Sequence, residues 1–427
     1  MRLEAFQFLT QNAGLRTLDF GRWTRNRSLR LRVAVVTPYL PWPADTGGKL
    51  RSYYLLRGLA QAAETDLYTV CYGPPPDAQA LTAFCRRVEI TRLQPPPVRW
   101  PVLRTLTQPL PRSVTYFRTV ESMATIRQKL AGNYDLLVAD EISMAPYLLD
   151  LPGDEQTPKI VMRQKIDYLH YAEVAAHRAW NQDKVLDWLE AERLQRFEYA
   201  TMPRFDGVVV CSQEDALVAA QQGPKLPIDI IVNGADTEYF TPMRQPDPDP
   251  TLLLIGTMHY YPNIDATLYF FETMFPALHQ AIPTLKVWVV GHLPPPEIQA
   301  LGKLPGVTVT GSVPDVRPYL ARSWALAVPL RLGGGTRLKI VEAMAAGLPV
   351  VTTTVGAQGL AATDGKQLLV ADTPEAFVQK TVRLLQAADL REQVAHQGAQ
   401  LVQKAYSWQG QGRRFADFCA KIQAAKL

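Results

Sequence analysis

Two series of short apolar runs are the feature that most constrains the fold of this chain. Each run has four to six residues rich in Val, Ile and Leu, and most runs do not alternate with polar residues. Such runs are typical of strands that are buried on both faces of a parallel sheet. The first series comprises residues 32–37, 67–72, 135–139, 159–162 and 207–211, and the second comprises residues 252–256, 287–291, 307–310, 325–330, 349–353 and 367–371.

Stretches of helical length separate the runs, for example residues 51–63 and 266–281, and residues 172–204 also have a helical pattern. The alternation predicts βαβ units and therefore an α/β fold. A length of 427 residues suits two domains better than one. Six prolines between residues 223 and 250 separate the two series, and we expect a hinge there.

We therefore expect two doubly wound parallel-sheet domains that face a central cleft, where the carboxyl ends of their strands can bind a ligand. The predicted division is an extension at 1–30, an N-terminal domain at 31–227 and a C-terminal domain at 228–407.

The charge is mildly basic, with a net charge of +5 and a pI near 8.9. This suits an anionic ligand and lacks the dense basic stripes of a nucleic-acid binder, so we expect no nucleic-acid partner. Four scattered cysteines favour a reducing cytoplasm. Residues 1–30 mix arginines with aromatic residues. We expect a loosely ordered extension; the alternative is an amphipathic segment that contacts the inner face of a membrane.

The richest local motif covers residues 331–349, RLGGGTRLKIVEAMAAGLP. It predicts a strand, a glycine loop and then a helix with Thr336 as N-cap and Gly347 just past its C-terminus. A glycine loop that opens a helix presents free N–H groups and a positive dipole end, which suit a phosphate. Gly334 and Gly335 lie in that loop. The alternative is a tight turn whose charges face solvent.

Three charged residues follow the loop. Arg337 and Lys339 add positive charge close to the expected phosphate, and Glu342 lies further along the helix. A carboxylate at that place can accept hydrogen bonds from two neighbouring hydroxyls, such as those of a ribose.

Two further loops follow predicted strands. Gly47 and Gly48 open a helix in the N-terminal half and could approach the same diphosphate or the acceptor; an ordinary turn is the alternative. Residues 257–263 place His259 and Asn263 after the first strand of the second series. A helix cap by Asn263 is the alternative there.

The sequence lacks the motifs that are typical of several other enzyme classes. The six histidines form no HxxxH or HExxH pair, and no GxSxG or GxxxxGK[ST] occurs. These absences argue against a zinc hydrolase, a serine hydrolase and a P-loop NTPase. The DPD sequence at residues 247–249 lies among the hinge prolines, so we predict no metal site.

Taken together, the motifs resemble those of the retaining GT-B glycosyltransferases of family 4, in the subgroup with GGGTRLKxxEAM. The matching segments are 41–59 with its paired glycines, NGADTEYF at 233–240, GTMHYYPN at 256–263, GSVPDVR at 311–317, 333–349, VGAQG at 355–359 and YSW at 406–408. Their order and spacing carry the resemblance, which covers nearly the whole chain after residue 31.

The resemblance implies two Rossmann-like domains, the N-terminal one on the acceptor side and completed by a C-terminal helix at 408–427. It implies a UDP- or GDP-type sugar as donor, no cofactor and no obligatory metal. Glu342 would hold the ribose hydroxyls, with Gly356 and Ala357 near the donor. The acceptor can be a carbohydrate, a lipid-linked intermediate or a small molecule.

Two departures from the family pattern bear on activity. The first acidic position of the usual Glu-x7-Glu pair falls on Gly334, and the loop after Gly256 carries His259 where the family has Arg and Lys. We therefore assign the diphosphate to Arg337 and Lys339.

Residues 164–170 follow a predicted strand of the N-terminal domain, and we place Asp167 and His170 on the acceptor side. The alternative is that these residues are ordinary polar residues on a helix surface.

The predicted activity is a retaining, hexosyltransferase-like transfer in polysaccharide or glycoconjugate synthesis. The alternatives are a catalytically silent nucleotide-sugar-binding subunit, which the glycine at 334 favours, and a sugar-nucleotide epimerase on the same scaffold.

Overall fold

The protein is described by a computed structural model that covers residues 31–74, 77–94, 110–153, 155–178, 180–332 and 337–426. The extension predicted for residues 1–30 lies outside the described residues, and so do Gly334, Gly335 and Thr336.

The first sheet has seven parallel strands in the order β3-β2-β1-β4-β5-β6-β7. Each of the five runs predicted in this half overlaps one of these strands, whereas β3 and β7 were not predicted. The strands are β1 Arg32–Thr37, β2 Glu64–Tyr72, β3 Arg87–Leu93, β4 Leu136–Asp140, β5 Lys159–Met162, β6 Gly207–Val210 and β7 Ile228–Ile230.

The second sheet has six parallel strands in the order β10-β9-β8-β11-β12-β13. Each of the six predicted runs overlaps one strand. The strands are β8 Thr251–Ile255, β9 Lys286–Val290, β10 Val307–Gly311, β11 Ala325–Val328, β12 Val350–Thr352 and β13 Leu369–Val370.

Helices connect the strands of both sheets. In the first half they are α1 Gly47–Ala62, α2 Gln79–Thr82, α3 Arg112–Tyr116, α4 Val120–Leu130, α5 Ala145–Leu148, α6 Asp167–His177, α7 Gln182–Thr201 and α8 Gln213–Gln222. In the second half they are α9 Tyr261–Thr273, α10 Phe275–Ala281, α11 Pro296–Ala300, α12 Arg317–Arg322, α13 Leu338–Ala345, α14 Thr354–Ala357, α15 Pro374–Gln386, α16 Ala388–Ala405 and α17 Trp408–Ala424.

Two of the predicted helical stretches are interrupted. Residues 172–204 fall in α6, α7 and a 3₁₀ turn at Met202–Arg204, and α6 and α7 are separated around Asn181, the N-cap of α7. Residues 266–281 belong to α9 and α10, which meet at Met274. The side chain of Asn181 accepts a hydrogen bond from Lys184 N and so stabilises the start of α7 at this position.

Both faces of each sheet are buried, as the non-alternating runs predict. In β1, Val33 and Val35 pack into one apolar cluster, and Ala34 and Val36 pack into another on the opposite face. Burying one such valine contributes about 1.5–3 kcal/mol, so the central strands hold both layers of helices.

The strand order reverses between β1 and β4 in the first sheet and between β8 and β11 in the second. In open parallel sheets the connections leave a crevice at this switch point, outside the carboxyl ends of the strands, and ligands bind there. Each domain therefore has one place where a binding site is expected.

The boundary predicted between residues 227 and 228 is wrong by three residues. Strand β7 pairs with β6, so the N-terminal sheet continues to Ile230. The error arises because β7 is a three-residue edge strand within the proline-punctuated region.

The last helix, α17, lies against α1 of the N-terminal domain. Trp408 stacks on Tyr54 with ring centroids 5.3 Å apart, and Gly58 and Gly412 bring the two backbones into contact. The Tyr54 hydroxyl also donates to Asp236 Oδ2 at 2.6 Å, in the segment that links the two sheets. Helix α1 thus contacts both segments by which the chain passes between the domains, namely the linker that contains Asp236 and helix α17.

Substituting Gly58 with Ala is expected to lower the free energy of unfolding by about 1–3 kcal/mol, because a methyl group there overlaps the Gly412 backbone. Chemical denaturation would measure the change. Gly302→Ala is the matched control, since a methyl group at Gly302 has its nearest neighbour at 3.7 Å. Equal stability of the two variants would contradict the close packing of α1 and α17.

Candidate functional site

The helix of the glycine motif, α13, begins one residue later than predicted. Its N-cap is Arg337, whose φ of −82° and ψ of 80° lie outside the helical range, rather than Thr336. The C-terminus is as predicted: Gly347 has a φ of 71° and its N–H donates to Met344 O at 3.0 Å. Ile340, Val341 and Met344 are buried and fix the helix against the second sheet.

Lys339 lies at the switch point of the second sheet. Its ammonium group donates to Asn263 Oδ1 at 2.7 Å, and the Asn263 amide donates to Thr257 O at 2.9 Å. These contacts connect α13, which follows β11, to the loop that follows β8. Burial, with a contribution from Arg337, lowers the pKa of Lys339 to about 8.

Asn263 does not cap the helix after β8. Helix α9 begins at Tyr261 with Tyr260 as its N-cap, so Asn263 lies within the first turn. Its side chain instead fixes the Thr257 loop and holds Lys339. The alternative considered for Asn263 is therefore wrong.

Arg337 connects the start of α13 to the loop after β12. Its Nη2 donates to Val355 O at 3.4 Å, and the side chain is largely buried, which lowers its pKa. The neighbouring Gly356 has no room for a side chain, because a methyl group would overlap the Thr352 hydroxyl. Ala357 ends α14 and is partly buried. The structure thus brings Arg337, Gly356 and Ala357 together.

Glu342 lies three residues after Lys339, so the two side chains leave the same face of α13. Burial raises the pKa of Glu342 to about 7. A carboxylate that is desolvated in this way gains from hydroxyl donors, because they replace the lost water.

The N-terminal glycines reach the same place from the other domain. Gly47 is the first residue of α1, and a methyl group there would contact the Leu338 side chain at 3.5 Å. Gly48 lies against the Gln164 side chain, which leaves no space for a Cβ atom. The N-termini of α1 and α13 therefore meet across the interdomain gap, and both present backbone N–H groups there.

His259 is exposed on the loop after β8, and its ring centroid lies 6.0 Å from that of His292 on the loop after β9. The next residue, Tyr260, is close enough to Arg337 to affect its pKa. His259 thus borders the Arg337 side of the site, and its assignment to the donor stays a prediction.

The two predicted acceptor-side residues belong to α6, which follows β5 of the first sheet. Asp167 Oδ2 lies 3.5 Å from Arg163 Nη2, and Arg163 is fully buried against Glu198. His170 is exposed, with its ring centroid 5.8 Å from that of Tyr171. Asp167 therefore contributes to a buried ionic cluster, and its contact with an acceptor stays a prediction.

The structure adds site residues that the sequence analysis did not propose. Asp140 is the last residue of β4 and Glu141 follows it, at the switch point of the first sheet. The sequence pattern could have identified them. Polar residues directly after a predicted strand indicate a binding loop at 257–263, and residues 140 and 141 likewise follow the predicted strand at 135–139.

Within the described ranges no helix combines the length and apolarity needed to span a bilayer. Among these same residues, no group of three His, Cys, Asp or Glu side chains is arranged to hold a metal ion.

Comparison with known proteins supports this description of the fold. Residues 249–387 match the family described as Glycosyl transferases group 1. No curated protein matches the chain in sequence.

Solved structures match over nearly the whole chain. Sucrose-phosphate synthase from Thermosynechococcus elongatus is 20% identical with a TM-score of 0.67, and the match covers 93% of this chain and 100% of that one. Anabaena HepE in complex with UDP-glucose is 14% identical with a TM-score of 0.60, over 92% and 100% of the two chains. WaaG, a glycosyltransferase involved in lipopolysaccharide biosynthesis, is 17% identical with a TM-score of 0.59, over 91% and 99%.

The expected pair of facing parallel-sheet domains is confirmed. The chain has the GT-B fold, and its second sheet lies in a segment that matches the Glycosyl transferases group 1 family.

Proposed function

We propose that the protein is a retaining glycosyltransferase that moves a sugar from a UDP- or GDP-type donor to an acceptor hydroxyl in polysaccharide or glycoconjugate synthesis. The observation that carries the proposal is the meeting of Gly47 with Leu338, which places two helix N-termini beside Arg337 and Lys339. The match of residues 249–387 and the UDP-glucose bound to HepE, a protein of the same fold, support a nucleotide-sugar donor.

The chemistry that we propose requires no protein nucleophile. The bond between the anomeric carbon and the diphosphate oxygen breaks, and negative charge grows on the leaving diphosphate. Arg337, Lys339 and the helix N–H groups stabilise that charge more in the transition state than in the ground state. The acceptor oxygen then bonds to the anomeric carbon from the same side, and its proton passes to a diphosphate oxygen. Neither a metal nor a cofactor is needed.

Glu342 completes the donor site in this proposal by accepting hydrogen bonds from the ribose hydroxyls. We expect a thermal-shift panel of UDP-, GDP- and ADP-sugars to identify the donor, because a ligand at about 100 times its Kd adds roughly 2.7 kcal/mol of stability. Glu342→Ala should abolish that shift. Glu272→Ala, which changes an exposed carboxylate of α9, is the matched control and should keep it.

A response of Glu342→Ala that equals the response of the control would contradict the ribose role. A wild-type protein that responds to no nucleotide sugar would contradict the proposed function.

The second candidate is a silent subunit that binds a nucleotide sugar for a partner transferase. The observation that favours it is Gly334, which stands where the family usually has an acidic residue near the donor sugar. Binding without transfer or donor hydrolysis would support this candidate, whereas turnover would exclude it.

A further inference from the structure

Glu141, directly after β4, has a backbone conformation that is rare for a residue with a side chain. Its φ is 82° and its ψ is 148°, a region that glycine occupies almost exclusively. Hydrogen bonds fix it on both sides, because its N–H donates to Met162 O at 2.9 Å and its carbonyl accepts from Met144 N at 3.1 Å. Backbone strain of this kind is concentrated at binding sites and active sites.

The carboxyl group of Glu141 lacks a partner for one of its oxygens. Oε2 is buried and, within the part of the chain that the structure describes, it accepts no hydrogen bond. Burial, followed by the negative charges of Asp167 and Asp140, raises the pKa of this group well above its usual range. A buried oxygen without a partner is costly, and a ligand hydroxyl that donates to it would remove that cost.

This carboxyl group lies at the switch point of the first sheet, at the carboxyl end of β4 and close enough to Tyr39, after β1, to influence its pKa. A hydrogen-bond network connects the same place to the glycine loop that meets α13. Ser52 donates to Asp140 Oδ2 at 2.5 Å, and Gln164 Nε2 donates to the Tyr39 hydroxyl at 2.5 Å and to Gly48 O at 3.3 Å. The network therefore connects Asp140, the residue that precedes Glu141, to the glycine loop on the donor side.

Hydrogen-bonding chemistry limits which ligands this place can take. The carboxyl groups of Asp140, Glu141 and Asp167 interact here, and the cations Arg163 and Lys165 offset part of their charge. Arg163 is also paired with Glu198 at 2.9 Å. A fully ionised phosphate has no proton to donate to an acceptor oxygen, whereas an uncharged hydroxyl can donate a hydrogen bond to it.

We propose that Glu141 is an acceptor-binding residue whose carboxyl group receives a hydrogen bond from a hydroxyl of an uncharged carbohydrate. The inference rests on the proposed function and narrows its acceptor, since lipid phosphates and sugar phosphates are disfavoured. Glu141, rather than Asp167 or His170, is then the main acceptor contact of the N-terminal domain.

The test uses the full chain with the nucleotide sugar that gives the largest thermal shift. Neutral methyl and p-nitrophenyl glycosides are compared with hexose phosphates as acceptors. Glu141→Gln is expected to raise the KM for the neutral acceptor at least about tenfold, while the donor Kd stays within about twofold of wild type. Glu192→Gln, an exposed carboxylate of α7, is the control and should change neither value.

Glu141→Gly separates binding from folding. Glycine suits a φ of 82°, so its melting temperature should equal or exceed that of wild type while the acceptor KM rises as it does in Glu141→Gln. A wild-type acceptor KM in both variants, a parallel loss of donor binding, or a wild-type preference for hexose phosphates would overturn the proposal. A wild-type protein that binds no donor would refute the proposed function instead.

Discussion

Replacing Lys339 with Met is expected to lower kcat/KM for sugar transfer by about 10²–10³-fold, the effect of losing one charged or hydrogen-bond donor to a developing anion. The Lys339 ammonium lies between α13 and the loop after β8, at the switch point where a diphosphate would sit. Met keeps the length of the side chain and removes the charge. The folded protein should remain stable, because burial already disfavours the charged form of Lys339.

Substituting Arg337 as well tests whether Arg337 and Lys339 act on the same diphosphate. Arg337→Gln alone should cause a loss of similar size, and the double variant should lose less than the product of the two, because both cations would act on one diphosphate. Lys303→Met, at an exposed lysine in the 3₁₀ turn after α11, is the control. Steady-state kinetics with the identified donor would compare these four variants with the wild type. A Lys339→Met variant with wild-type kcat/KM would remove Lys339 from the site.

The sequence pattern was informative where burial is uniform along an element. Runs such as residues 159–162 are apolar because they lie inside the sheet with helices on both faces, and the observed strand has the predicted bounds. Strand β3, Arg87–Leu93, was missed because it lies at the edge of its sheet and carries Arg87, Glu89 and Arg92. An edge strand needs few apolar residues, so the rule for buried strands does not detect it.

The donor side of the site was predictable because its residues are close together in the sequence. A glycine loop, a helix N-terminus and two nearby cations lie within one short segment, so their proximity follows from local geometry. Asn263 and Glu141 act through partners that are far away in sequence. Asn263 meets Lys339 across 76 residues, and Glu141 is defined by an unusual φ and by neighbours in the segments that follow β1 and β5. The sequence shows neither the contact nor the dihedral angle.

Donor affinity is expected to be greatest between about pH 7 and pH 8, because Glu342 and Lys339, two of the charged groups that would contact the donor, titrate at the two ends of that range. Burial raises the pKa of Glu342 to about 7, so at lower pH the free protein holds a proton that ribose binding must displace. Burial lowers the pKa of Lys339 to about 8, so at higher pH the diphosphate must bind a neutral amine or recruit a proton. Each pH unit beyond these values weakens binding by up to about tenfold.

The two limbs of this profile can be assigned to individual residues. Calorimetric Kd values for the donor sugar between about pH 5.5 and 9 would trace the profile, since a diphosphate that is esterified at both ends does not titrate in this range. Glu342→Gln should remove the acid limb, and Lys339→Met should remove the alkaline limb. The same desolvation makes the ionised Glu342 costly in the unliganded protein: its contribution to stability is present below about pH 4.5 and is lost as the pH rises through about 7. Unliganded Glu342→Gln should therefore be more stable than wild type at pH 8, by about 1–3 kcal/mol. A flat affinity profile in wild type, or limbs that persist in both variants, would show that these two side chains do not contact the donor.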